Sequence, residues 1–266
     1  MNFNPNELIL EKIRSVEEYD PATNELTGRY TQIEAPSLKT SAESQEVTDA
    51  MGASIYTIYK AQKGTFDFTN SLFSLDLAAS QYGSKKIVAT EDNKIIVPVS
   101  EVIDIASDHT VTLKYVPVGT SGAEIKYVKV MNSDNTFGET YEVAATAGDG
   151  KFILDAAARK ITLPENVTGK LFVNYEKESD SAVQVTKRTD GVPEVKTLII
   201  HAIFHDKCQT NMVYAGVIRC PRAQIDPSST ELSLEPEGKH AASYILQSNY
   251  CDESNSRLFD IIVSKD

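Results

Sequence analysis

Residues 53–82, ASIYTIYKAQKGTFDFTNSLFSLDLAASQY, change their period halfway along. Up to Thr69 the apolar residues alternate. Ile55, Thr57 and Tyr59 share one face of a strand, Phe66 and Phe68 share a face of the next, and Gln62-Lys63-Gly64 is turn material. The alternation predicts a hairpin over 53–69. From Asn70 the spacing becomes helical, with Leu72, Leu75, Ala79 and Tyr82 on one side of a helix over 71–82. Asn70 is the predicted N-cap, and Gly83 the residue that ends the helix in the left-handed region. One short helix amid strands predicts a mainly β fold, a sandwich or barrel with the helix covering one face.

Upstream, 7–18 (ELILEKIRSVEE) read as a strand places Leu8, Leu10 and Val16 on one face. The turn Asp20-Pro21-Ala22-Thr23-Asn24 and the strand 26–34 complete a predicted hairpin. The 18 residues 35–52 have no sustained period and little apolar content, which predicts a long loop. Its candidate contact residues are Ser37, Leu38, Glu43, Val47, Asp49 and Met51.

Downstream, seven short apolar stretches separated by turn residues fill 94–178. That is the pattern of an immunoglobulin-like sandwich, although the Cys…Trp…Cys core of antibody domains is missing. Strand signals return in 196–205 (KTLIIHAIFH) and continue to 257–264. The expected organisation is a discontinuous β-domain, 1–92 with 179–266, interrupted by an inserted β-sandwich at 93–178.

The totals narrow the function. With 26 Lys and Arg against 38 Asp and Glu, the formal charge is −12 and the sequence pI about 4.9. A protein that gripped DNA through its phosphates would need the opposite sign. No apolar run approaches the roughly 18–20 residues of a spanning helix, so no membrane insertion is expected. Met1–Glu7 lacks the basic and apolar regions of a secretory signal, so synthesis in the cytoplasm is expected. The three cysteines, Cys208, Cys220 and Cys251, are odd in number and widely spaced, which fits reduced thiols and no disulfide framework.

Glycine-rich phosphate loops, nucleophile elbows and His-Glu-x-x-His are absent. His201, His205 and Cys208 are metal-capable types, but two residues four apart on a strand are about 13 Å apart. Ligands of one zinc sit about 2 Å from it, so these read as strand-face histidines. Asp252-Glu253 followed by Ser254-Asn255-Ser256 reads as a polar turn, without the ligand spacing of a calcium loop. No enzyme, cofactor or metal is expected.

The stretch 33–86 resembles the major tail tube proteins of tailed phages. The shared parts run in order: a strand hairpin, a long loop ending in Thr48-Asp49-Ala50-Met51-Gly52, a ribbon with Phe66-x-Phe68, and a short helix of the Leu-x-x-Leu-Ala-Ala type. Gly238-Lys239-His240, Tyr250-Cys251 and the segment 257–263 (RLFDIIV) look like the same family. The likeness covers about two thirds of the chain, excluding the middle unit. It implies subunits in hexameric rings, stacked into a tube in the virion tail, with the 35–52 loop reaching a neighbour. It also implies tape-measure and other tail proteins as partners, and genomic DNA passing through without specific binding. The lumen would be acidic, with Asp67, Glu231 and Glu235 as candidates, and the inserted unit would decorate the outside. A head decoration or other virion surface protein, and a glycan-binding sandwich, are the alternatives.

Overall fold

The computed structural model describes residues 7–207, 211–229, 232, 238–248 and 256–264. In chain order the elements are β1 (Leu8–Tyr19), β2 (Leu26–Tyr30), β3 (Ile33–Ser41), β4 (Ser44–Thr48), β5 (Ser54–Tyr59), β6 (Lys63–Asn70) and α1 (Leu75–Tyr82). Then come β7 (Ile87–Val88), β8 (Ile95–Asp104), β9 (Thr110–Thr112), β10 (Tyr127–Met131), β11 (Phe137–Val143), β12 (Lys151–Asp155), β13 (Lys160–Thr162), β14 (Lys170–Ser179) and β15 (Val183–Gln184). The last are β16 (Val195–Asp206), β17 (Val213–Ile225), β18 (His240–Leu246) and β19 (Asp260–Ser264). The protein is mainly β. The chain divides into two compact units, Met1–Lys86 with Val185–Asp266, and Ile87–Gln184.

In the first unit the strands run β2-β1-β16-β17-β18-β6-β3, with β19 also on β17. The pairs are antiparallel. One face of this sheet is the core, where Val16, Phe66, Phe68, Leu198, Ile200, Ala223 and Tyr244 pack with Leu77 of the helix. Alternation along β6 sets the burial. Gly64, Phe66, Phe68 and Asn70 point in, and Thr65, Asp67 and Thr69 point to the half-exposed side. Phe68 stacks on Tyr244 with centroids 6.0 Å apart.

Four local expectations are corrected. The expected 53–69 hairpin does not form: β5 pairs back onto β4, and β6 pairs with β3 and β18. Alternation identifies a strand but not its partner, and each half of this stretch pairs elsewhere. The segment 35–52 is not a long loop. β3 runs through it to Ser41, borrowing its ladder from β6, and β4 follows with Ser44–Thr48. A bulge between Glu34 and Ser37, where Ala35 has φ 46°, accommodates Pro36 without breaking the strand. The helix begins later than Asn70, because Asn70 is still in β6, opposite His240 and Ile33. Ser74 caps instead, its Oγ accepting from Leu77 N at 3.3 Å, and the buried helical face is Leu77, Ala78, Ala79 and Gln81. Gly83 ends the helix at φ 61°, ψ 39°, as its sequence position predicts. Finally, the β1–β2 hairpin forms, but bulges after Leu10 and Ile13 bring Ile13 onto the face of Val16. Leu10 is exposed, while Ser15, Val16 and Glu18 are buried.

In the second unit the order is β8-β14-β10-β11-β12-β13-β9, with β11 and β12 parallel and the other neighbours antiparallel. Inward residues from both ends of this path, Val111, Phe152 and Ile161 with Val128, Leu171 and Val173, share one core. The immunoglobulin-like pattern predicts two separate sheets; here a short parallel step, Glu142 and Val143 against Lys151 and Phe152, links the strands into one path. β7 and β15 pair where the chain enters and leaves the unit.

Candidate assembly surface

The strongest functional feature of the first unit is the ribbon made by β4 and β5. Its register is Ser44 opposite Tyr59, Gln45 opposite Ile58, Glu46 opposite Thr57 and Val47 opposite Tyr56. The tip is a tight turn in which Asp49 accepts from Met51 N and Ala53 N at 2.9 and 2.8 Å, and Gly52 takes φ 84°. At the foot, Lys60 and Lys63 each reach the Glu43 carboxylate at 2.8 Å, which holds that carboxyl below its ordinary range.

Every ribbon residue is exposed except Thr57, which is half-buried. Gln45, Val47, Tyr56 and Ile58 line one side, and Ser44, Glu46, Ile55, Thr57 and Tyr59 the other. Tyr59 is 70 % exposed, Ile55 and Tyr56 66 %, and Met51 93 %. A lone two-stranded hairpin is marginal in water and needs a third strand or a packing surface. This one offers apolar groups on both sides and buries none of them.

Of the six contact residues anticipated between 35 and 52, Glu43, Val47, Asp49 and Met51 are on this ribbon or at its ends. Ser37 and Leu38 are half-buried in β3, paired with Asp67 and Phe66. The residues sequence reasoning missed are Ile55, Tyr56, Ile58 and Tyr59. Sequence reading put Ile55 and Tyr59 on one face of a hairpin strand without marking any of the four as a contact surface, and the polarity of the facing strand (SQEVT) is the signal that could have shown that they stay outside.

Asp67 lies on the half-exposed face of β6, where it accepts from Ser243 Oγ at 2.6 Å and faces Lys39 Nζ at 3.2 Å. Its charge is offset on the spot, so it contributes less to an acidic wall than a free carboxylate does. Glu231 and Glu235 lie outside the described residues. On the same face Arg29 pairs with Glu17 at 3.1 Å, and His201 approaches Glu17 at 3.3 Å. His205 meets Glu11 at 2.6 Å, and both glutamates are held below the ordinary carboxyl range. The two histidines thus face different carboxylates, and Cys208 and Cys251 lie outside the described residues. Cys220 is a buried free thiol whose pKa burial pushes up to about 12.

Beneath this face lies a polar knot. Glu18 is fully buried; its carboxyl accepts from Ser80 Oγ of α1 at 2.6 Å and from the Tyr244 hydroxyl of β18, and Tyr30 of β2 stands beside it. Burial raises its pKa above the ordinary range against the pull of those donors. The knot ties helix to sheet. A cleft of about 610 Å³ beside the helix, lined by Asp20, Asp76, Ser84, Lys86, Glu194 and Lys196 among others, contains two ion pairs, Lys196 to Glu194 at 2.9 Å and Lys86 to Asp76. Among the described residues no helix is long and apolar enough to cross a membrane.

A mainly β chain whose most exposed apolar groups are gathered on a projecting ribbon has the features of a structural protein that acts through its surface. The chain belongs to the YomU/Tube protein family, whose model matches residues 8–257. This is a phage-derived tube protein family, so the tube-protein resemblance holds at the level of family, and the match spans the middle unit as well as the flanking parts. No curated protein matches the chain.

Proposed function

We propose that the chain is the repeating subunit of a phage tail tube, made in the host cytoplasm and incorporated into the virion tail. Copies join into hexameric rings, the rings stack, and the bore conducts genomic DNA during ejection. Tape-measure and other tail proteins share the structure, and the inserted unit, immunoglobulin-like in strand number, decorates the outside. The observation that carries this reading is the exposed β4–β5 ribbon: an apolar arm that buries nothing in its own subunit is stabilised by lying against another. Family membership supports association of copies in a general way. The net charge of −12 supports a conduit that DNA passes without sticking, because a wall that neutralised phosphates would release counterions and hold the duplex.

Electron microscopy of the purified chain tests the proposal. Tubes or stacked rings of constant diameter are expected, and removal of residues 43–60 is expected to leave single subunits with unchanged β-type circular dichroism. A wild-type chain that stays monomeric at high concentration overturns it, and trimers without stacking point to a head decoration instead.

A further inference from the structure

The ribbon needs a seat, and the first unit carries an apolar step suited to it. Where β6 gives way to α1, Leu72 is 62 % exposed, Phe73 55 % and Leu75, the first residue of the helix, 37 %. The step is held rigid. Phe73 stacks on buried His240 with centroids 5.6 Å apart and planes 14° from parallel. Asn70 Nδ2 donates to Leu72 O, and Ser71 Oγ donates to Glu34, whose carboxylate also meets Lys239. A preformed apolar surface loses little freedom when covered, which is the property of an interface anchor.

Its place in the fold decides its partner. The ribbon departs from the end of the β3–β6 pair where Ser41 faces Lys63, and the step follows the other end, where Ile33 faces Asn70. Seven residue steps of strand, about 23 Å at roughly 3.3 Å each, separate the two ends. Arm and step are therefore opposite poles of one strand pair, and a copy displaced along β6 brings the step of one subunit to the arm of the next. That is a heterologous, head-to-tail contact, the kind that continues from copy to copy.

One side of the arm matches the step in kind: Tyr56 and Ile58 face the same way, Met51 stands at the tip, and each is about half exposed or more, so seating the arm covers apolar groups on both partners. We infer that the Leu72–Phe73–Leu75 step is the seat for the β4–β5 ribbon of a second copy, so that subunits join pole to pole along β6. This rests on the tube reading and adds to it the acceptor and the direction of the contact.

Two variants separate arm from seat. Leu72→Asp touches only an exposed side chain and should leave circular dichroism and the unfolding midpoint unchanged while raising the concentration needed for assembly at least tenfold. Tyr56→Ser/Ile58→Ser should do the same from the arm. Mixed together, the defective copies should recover a one-to-one complex in sedimentation but no tubes, because one sound arm still meets one sound seat. Wild-type tubes accompanied by equally ready Leu72→Asp tubes overturn this inference alone, as does a mixture that stays monomeric. A wild-type chain that never associates overturns the tube reading with it.

Discussion

Glu18 shows at the residue scale how a buried carboxyl couples the fold to pH. The groups around it are Tyr30 on β2, Tyr244 on β18, Ser80 on α1 and Lys196 on β16, and Asp76 of α1 acts on Tyr30. Burial outweighs the hydroxyl donors, so the folded-state pKa lies above that of the unfolded chain. Its contribution to stability is thus complete below the unfolded value, near 4.3, and is lost as pH rises through the folded value. Glu18→Gln, which cannot ionise, should flatten that part of the stability profile and show its greatest gain over wild type at alkaline pH. Glu18→Ala should cost about 1–3 kcal/mol at low pH, because it strands buried hydroxyls. Denaturant melts across pH check both. Alternation in 7–18 puts Glu18 on the face of Leu8, Leu10 and Val16, with no bulge between it and Val16, but its role rests on Ser80 and Tyr244, which lie far away in sequence. Gly83, by contrast, was legible because a left-handed helix end is a local demand.

At the scale of elements, strand identity was more legible than strand partnership. β5 and β6 were both readable as strands, yet neither pairs with the other, since register is set by residues far away in sequence. β4 was missed because SQEVT carries a single apolar residue and its pairing rests on backbone hydrogen bonds. The same fact governs its stability. With no apolar side chain buried, the ribbon opens far more readily than β6, whose Phe66 and Phe68 are each 2 % exposed. Amide exchange of the free subunit should therefore be fast in residues 44–59 and slow in 64–70, and assembly should bring strong protection to 44–59. Equal rates before and after assembly would remove the ribbon from the interface. The helix makes a parallel case: its period was readable, but its start moved from Asn70 to Ser74 because a strand pairing held Asn70.

At the scale of the whole molecule, the two units keep separate cores, and twelve buried residues make up the core of 87–184 alone. The excised fragment 87–184 should unfold cooperatively with β-type circular dichroism. It should melt higher than a fragment cut at 93 and 178, which loses the β7–β15 pair and, from the β8–β14 ladder, Ser179. A random-coil spectrum for 87–184 would mean that the unit depends on its host. That small pair, Ile87 and Val88 against Gln184 and Val183, has a consequence of its own. Paired strands lie about 4.8 Å apart, so the chain leaves the first unit and comes back through a single narrow doorway. Any guest with neighbouring termini could be spliced in at that doorway without stretching the host. A polymer of such subunits would then be a ready-made scaffold, presenting one chosen cargo per repeat at intervals fixed by its own architecture.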